Sequence, residues 1–301
     1  MADLNFDNLL VDVDGPVATI TLNRPEQLNA MSRGLLGDLH QALRDLNPGD
    51  DVRVIRLRGN GRAFCPGYDL SPTGGAAGKR ARKDGPSIAD YGESAIAVDR
   101  ESLREMVERW QWMWGYRKPI IAQVHAYCLS GALDLIGACD IVWAAEGTLF
   151  GHPAARGMGV PPTCGLLPYR IGAQATKELL FTGDLFDAEE AKELGLIRRV
   201  VPADELDERT LAFCQRVAMN PLDVLTAAKH VTNRTYEIMG SRTAAFEGAD
   251  FDAIAHLPPS MAEFGRRVAN DGLRAALAWR DSPYTNGPAA DHDAAAHRRA
   301  T

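Results

Sequence analysis

Along the first sixty residues apolar positions alternate, then recur every three or four, then alternate again. Leu9–Val13 and Val17–Leu22 are strand-like runs on either side of Asp14-Gly15, a dipeptide that favours a tight hairpin turn. From Ser32, a good helix N-cap, Leu35, Leu36, Leu39, Ala42, Leu43 and Leu46 follow at helical spacing until Asn47-Pro48-Gly49 ends the run. Val52–Leu57, Ile120–Val124 and Ile141–Ala144 are further short β-type runs with helical pattern between them, so the spacing predicts an α/β core. Beyond about Ala203 the strand signal ends, and Glu205–Met219, Pro221–Met239, Arg242–Ala255 and Met261–Trp279 each read as one helix. The chain thus divides into an α/β core over 1–203, a helical C-terminal part over 204–282 and a tail over 283–301 that reads as disordered. Ser71–Pro86, with its glycines and the basic run Lys79–Lys83, also lacks the apolar surface needed to offset its chain entropy.

Composition narrows the class of partner. The 301 residues are 46% apolar and 24% charged, and 33 basic against 40 acidic side chains give a net charge of −7. A mildly acidic surface of that kind argues against nucleic acid or a membrane as the partner. Pro119–Ala145 is the longest apolar region, but Gln123, His125, Ser130, Asp134 and Asp140 interrupt it, so it reads as buried core and not as a membrane span. Cys65, Cys128, Cys139, Cys164 and Cys214 are odd in number and show no CxxC spacing, which points to reduced thiols in a cytoplasmic protein. The opening residues carry acids where an export signal would carry Lys or Arg. Zinc spacings, a phosphate loop and a GxSxG elbow are all missing, so neither a metal nor a cofactor is expected.

Two segments combine small residues with abrupt changes of polarity: Arg62-Ala-Phe-Cys-Pro-Gly67-Tyr68-Asp69-Leu70 after one strand, and Ala126-Tyr-Cys-Leu-Ser130-Gly131-Ala132-Leu-Asp134 after another. Around them stand Thr21-Leu-Asn23-Arg24-Pro25, Leu28-Asn29-Ala30, Lys118-Pro119-Ile-Ile-Ala-Gln-Val, Ala138-Cys-Asp140-Ile-Val, Phe181-Thr-Gly183 and Ala191-x-x-x-Gly195-Leu196. In this order and spacing, over about residues 10 to 202, the chain resembles the crotonase, or enoyl-CoA hydratase/isomerase, superfamily. The resemblance implies a spiral of ββα units, a helical C-terminal part that packs between subunits, and a homo-oligomer, trimeric or hexameric. It implies a CoA thioester as substrate, with CoA part of that substrate and not a separate cofactor.

Two backbone N–H groups hold the thioester oxygen in such proteins, and they fall here on Tyr68 and Gly131. An enolate or tetrahedral oxyanion needs preorganised donors, each worth about 10²–10³ in rate. Gly131 stands at a predicted helix start, where free N–H groups favour an anion and the missing Cβ admits the substrate. The remaining CoA and acyl contacts fall on Arg24, Leu28, Ala63, Cys65, Gly67, Asp69, Leu70, Ser71 and Ala154.

Family hydratases position water with two glutamates. The first position is Asp134, which keeps the carboxylate one methylene shorter; the second is Ala154, which has no proton to give or take. The acid used by isomerases falls on Thr163. Asp134 is therefore the one acid at the three places, either catalytic or complementing the helix dipole, while Asp140 reads as structural. His152 reads as a packing residue beside Ala154, with proton supply as the alternative, and Arg156 as a cationic contact or a group able to trap a glutamate introduced at 154. Trp110, Trp112 and Trp114 read as core or subunit packing, with a wide acyl pocket as the alternative; the basic run at 79–83 reads as a solvated loop or a contact to CoA phosphates. The expected function is an acyl-CoA-processing enzyme that stabilises a thioester enolate, nominally a hydratase-type lyase with an incomplete acid pair. Hydrolysis, isomerisation, decarboxylation, or acyl-CoA binding with little catalysis remain as alternatives.

Overall fold

β1 (Leu9–Asp14) and β2 (Val17–Leu22) form the expected hairpin, Asp14 opposite Val17 with Gly15 at φ 54° in the turn. The computed structural model describes residues 4–71, 95–160 and 166–286. The Lys79–Lys83 run, Thr163 and the end of the tail lie outside the described residues. After the hairpin come α1 (Arg33–Asp45), β3 (Val54–Gly59), α2 (Ala95–Trp114), β4 (Ile120–Val124), β5 (Tyr127–Leu129), α3 (Gly131–Gly137), β6 (Ile141–Ala145) and β7 (Leu149–Gly151). Then follow α4 (Leu167–Thr182), β8 (Leu185–Asp187), α5 (Ala188–Glu193), β9 (Arg199–Val201), α6 (Leu206–Val217), α7 (Leu222–Ile238), α8 (Ser241–Ala255), α9 (Pro259–Asp271) and α10 (Leu273–Asn286).

The strands form two sheets. The larger has the order β1-β2-β3-β4-β6-β9, antiparallel at the hairpin and parallel elsewhere; the smaller has the order β5-β7-β8. Parallel strands need both faces covered, and β2 and β4 accordingly bury every residue. The Ser32 hydroxyl accepts the N–H of Leu35 at 3.1 Å and starts α1, whose Leu35, Leu36, Leu39, Ala42 and Leu43 join the main apolar core. Asp140 is structural: its Oδ2 accepts the N–H of Ile120 at 2.7 Å and pairs with buried Lys229 at 2.8 Å, pinning α7 to the sheet.

The C-terminal part departs from the sequence expectation at two points. The helix expected over Met261–Trp279 is two helices, because Gly272 takes φ 84°, ψ 161°, which no helix accommodates. The tail expected to be disordered from Pro283 is instead helical to Asn286. Pro283 has no N–H for the Trp279 carbonyl, and the Ser282 hydroxyl supplies the missing donor at 2.8 Å. Arg156 fixes this turn from below, reaching Asp281 at 3.5 Å and lying 4.1 Å from the centre of the Tyr284 ring.

Candidate functional site

The quoted motifs first prove to be a brace. Asn29, fully buried at φ 65°, accepts the Arg24 N–H through Oδ1 at 2.9 Å and donates through Nδ2 to the carbonyls of Asn60 and Ala63 at 2.8 Å. Asn60 in turn donates to the Asn23 side chain at 2.8 Å. Leu28 precedes this brace in the left-handed region, and Ala63 is fully buried. Arg24 and Asp69, both expected at CoA, pair with each other at 2.9 Å. Burial alone would push the Asp69 carboxyl up, but the hydrogen bonds from Ser71, whose N–H lies at 2.9 Å, and from Arg24 bring it below its ordinary range.

The brace holds residues 63–71 between two strand-like partners. Cys65 bridges Cys128 in parallel, its N–H going to the Tyr127 carbonyl and its carbonyl accepting Leu129. Tyr68 bridges Met31 in parallel through its neighbours: the Gly67 carbonyl accepts Met31, and the Asp69 N–H goes to the Met31 carbonyl at 3.1 Å. In such a bridge the central residue turns its own N–H away from the partner. Among the described residues the N–H groups of Tyr68 and Gly131 donate to no backbone carbonyl. Gly67, at φ 109°, lies so close that a Cβ there would stand 3.2 Å from the Gly131 nitrogen and 2.9 Å from the Leu129 oxygen. Glycine is required at both places, since a Cβ on Gly131 would lie 2.3 Å from the Tyr68 ring.

The Tyr68 side chain joins two buried groups. Its hydroxyl accepts the Trp110 indole N–H at 3.1 Å and donates to Asp134 Oδ2 over a long 3.3 Å. Asp134, in the first turn of α3, is 4% exposed. Burial first, and the Asp134 charge second, push the Tyr68 phenol well above its ordinary range, so it stays protonated and acts as a donor. Sequence reasoning placed Trp110 in the core but missed this hydrogen bond. Trp114 is also buried, edge-on to Tyr236, while half-buried Trp112 stacks on His40 with ring centres 4.0 Å apart.

At the turn Pro153–Ala155, Leu70 and Ala154 pack on an apolar cluster of Met158, Phe264 and Ala276 completed by α9 and α10. Arg156 is not positioned to trap an acid at 154: it is committed to Asp184 at 2.7 Å, to the Thr182 carbonyl at 3.0 Å and to Asp281. His152 is buried with no partner for Nδ1 among the described residues, and burial, aided by the Arg280 charge, lowers it to about 4. It is a neutral packing residue at physiological pH. The cysteines described are free thiols, Cys65, Cys139 and Cys214 each pushed up by burial to about 12, so Cys65 contributes packing and a sulfur contact to the Gly67 N–H at 3.4 Å. No cluster of three or more metal-ligating side chains occurs among the described residues.

Comparison with known proteins agrees with this architecture. The protein EchA13 of Mycobacterium tuberculosis, assigned by its name provisionally to the enoyl-CoA hydratases, is 38% identical over 249 residues, 78% of this chain and 75% of its own length. The crystal structure of an enoyl-CoA hydratase from Mycobacterium smegmatis superposes with a TM-score of 0.82 at 31% identity, covering 94% of this chain and 96% of that one. An enoyl-CoA hydratase/isomerase from Xanthobacter autotrophicus Py2 gives 0.81 at 32% identity, over 92% and 98% of the two chains. The family model for enoyl-CoA hydratase/isomerase matches residues 12–257, and the chain belongs to that family, with its α/β fold and helical C-terminal region.

Proposed function

We propose that the protein binds an acyl-CoA thioester with its carbonyl oxygen between the N–H groups of Tyr68 and Gly131, and that Asp134 moves protons at the acyl group. The observation that carries this reading is the presence of two backbone donors that meet no carbonyl among the described residues beside a buried carboxylate held by a protonated phenol. Fixed donors in a water-poor site stabilise the enolate without having to reorganise. For hydration, the nominal reaction, water forms a bond to Cβ as one of its protons passes to a carboxylate. The Cα=Cβ electrons move into the enolate, and Cα then takes a proton. CoA is part of the substrate in this reading, and no further cofactor takes part.

The thioester is the partner, in a homo-oligomer of three or six chains. Val231, Ile238, Met239, Phe251 and Leu257 on or beside α7 and α8 are each more than half exposed, an apolar face suited to neighbouring subunits. No helix among the described residues is long and apolar enough to cross a membrane, and a cytoplasmic location fits the buried thiols. Thermal unfolding against short, long and aromatic acyl-CoA esters tests the reading. A ligand at about a hundredfold its Kd adds about 2.7 kcal/mol of stability and raises Tm, whereas no shift with any ester removes it. Light scattering that finds a 32.7 kDa monomer removes the oligomer.

A further inference from the structure

A second set of charges is buried beyond Tyr68 and Asp134, on helices that carry none of the quoted motifs. Asp252 and His256 stand four residues apart on one face of α8 and its C-terminal cap, and α2 brings Asp99 alongside. His256 Nδ1 lies 2.7 Å from Asp99 Oδ2, and Nε2 lies 3.2 Å from Asp252 Oδ1. Asp252 is 3% and Asp99 6% exposed. Asp99, His256 and Asp252 form one array in which the imidazole stands between the two carboxylates, placed to pass a proton from one to the other.

The helices do not depend on this array to stay together. Leu103 and Val107 of α2 pack with Ala245, Ala249 and Ala253 of α8, and Asp250 binds Arg100 and Arg104 at 2.7 and 2.8 Å. Buried charges are a weak way to join two helices, since losing water offsets much of their attraction. What sets the array apart is its place. Asp252 Oδ1 also accepts the N–H of Val160 at 2.8 Å, and a Cβ on Gly159, at φ 130°, would fall 2.5 Å from that oxygen and 2.6 Å from His256 Nε2. Gly159 and Val160 continue from the turn that has Ala154 where family hydratases have a glutamate. On the other side, the Asp252 charge adds to burial and to the Asp134 charge in raising the Tyr68 phenol. α2 joins the two groups, with Asp99 near one end and Trp110, the donor to Tyr68, near the other.

We propose that Asp252 is the second acid–base residue of this active site, with His256 and Asp99 as positioning residues, so that a carboxylate from α8 does the work that Ala154 does not. The inference rests on the acyl-CoA reading above. In hydration, Asp134 takes a proton from water as the water oxygen bonds to Cβ and the π electrons enter the enolate; Asp252 gives its proton to Cα. Asp134 then releases its proton to solvent and the array takes one up, so enoyl ester and water become hydroxyacyl ester with the enzyme unchanged. With a saturated ester the same carboxylate removes and returns the α-proton, which in heavy water exchanges hydrogen for deuterium at Cα.

That exchange is the test, run on the full chain with short-chain, long-chain and arylacetyl-CoA esters and read by mass spectrometry. The natural protein is expected to label Cα of at least one ester. Asp252→Asn keeps the shape and the acceptor for Val160 and lowers the labelling rate by about 10²-fold or more, while the rise in Tm caused by the same ester is unchanged. Asp252→Glu recovers part of the rate, and His256→Gln, a change at a positioning residue, loses about tenfold, less than the roughly 10²–10⁴ of the acid–base group itself. Should Asp252→Asn fail to fold, Asp99→Asn gives the same readout with a loss of several-fold. Labelling by Asp252→Asn at the natural rate overturns the inference, as does a natural protein that binds esters and labels none. Failure of every ester to raise Tm overturns the acyl-CoA reading itself and is thereby distinguished.

Discussion

The first turn of α3 and the turn Pro153–Ala155 hold the two positions where the sequence resemblance expects a glutamate, Asp134 and Ala154, and the two differ in burial, charge and partners. On α3 a carboxylate is kept, buried at 4% exposure and tied through Tyr68 to Trp110. On the turn the side chain is a methyl group packed beneath α9 and α10, and the polar groups beside it serve other ends. Arg156 binds Asp184 and Asp281, and His152 is neutral. A buried carboxylate stands in the α/β core, while the turn is a seat for the C-terminal helices. A family position predicts chemistry only as far as its surroundings still support an ionised group.

The largest expected break in this contrast is Asp134→Asn, which lowers turnover by about 10²–10⁴ and leaves ester affinity within a few-fold. Steady-state kinetics with calorimetric titration checks it, and equal rates would reduce Asp134 to a partner of the helix dipole. Next comes His152. Its folded value of about 4 lies below the ordinary 6.5, so the unfolded chain binds more protons between those values. Stability is full above pH 6.5 and falls as pH drops through that window, by about 2 kcal/mol at pH 5. Urea unfolding at pH 7 and 5 should show this slope in the natural protein and its loss in His152→Gln. Tyr68→Phe removes the donor to Asp134 and should lower turnover by about tenfold, roughly 1.4 kcal/mol, with both backbone donors intact. An unchanged rate would confine Tyr68 to its N–H and ring. Smallest is Ala154→Glu: the new acid enters an apolar seat, and crotonyl-CoA hydration should stay within about threefold, below 1 kcal/mol. A tenfold rise would show that the turn still faces the reacting carbons.

Long periodic runs are legible in the sequence: the hairpin, α1, β3, β4 and β6 lie within two residues of their expected bounds. β5, β7, β8 and β9 have three residues each, too few for alternation to register, so the smaller sheet is invisible in the sequence. The α9–α10 break depends on one backbone conformation at Gly272, and the helical Pro283 on a hydroxyl next to it. At the site, Gly67, Gly131 and Asp134 could be located by motif. The link from Trp110 to Tyr68 spans 42 positions and that from Asp99 to His256 spans 157, and no local spacing encodes such pairs.

The bridge between Met31 and Tyr68 limits how the gene can drift. Among the described residues the Tyr68 N–H meets no backbone carbonyl because its neighbours on both sides pair with Met31, so its direction follows from odd and even places along the segment. Letters from Phe64 to Leu70 other than Gly67 can be exchanged without disturbing that alternation, but inserting or deleting one residue would put a different N–H in the place that Met31 leaves unpaired. Length is then the inherited quantity in this stretch, held more tightly than the identity of the ring at 68.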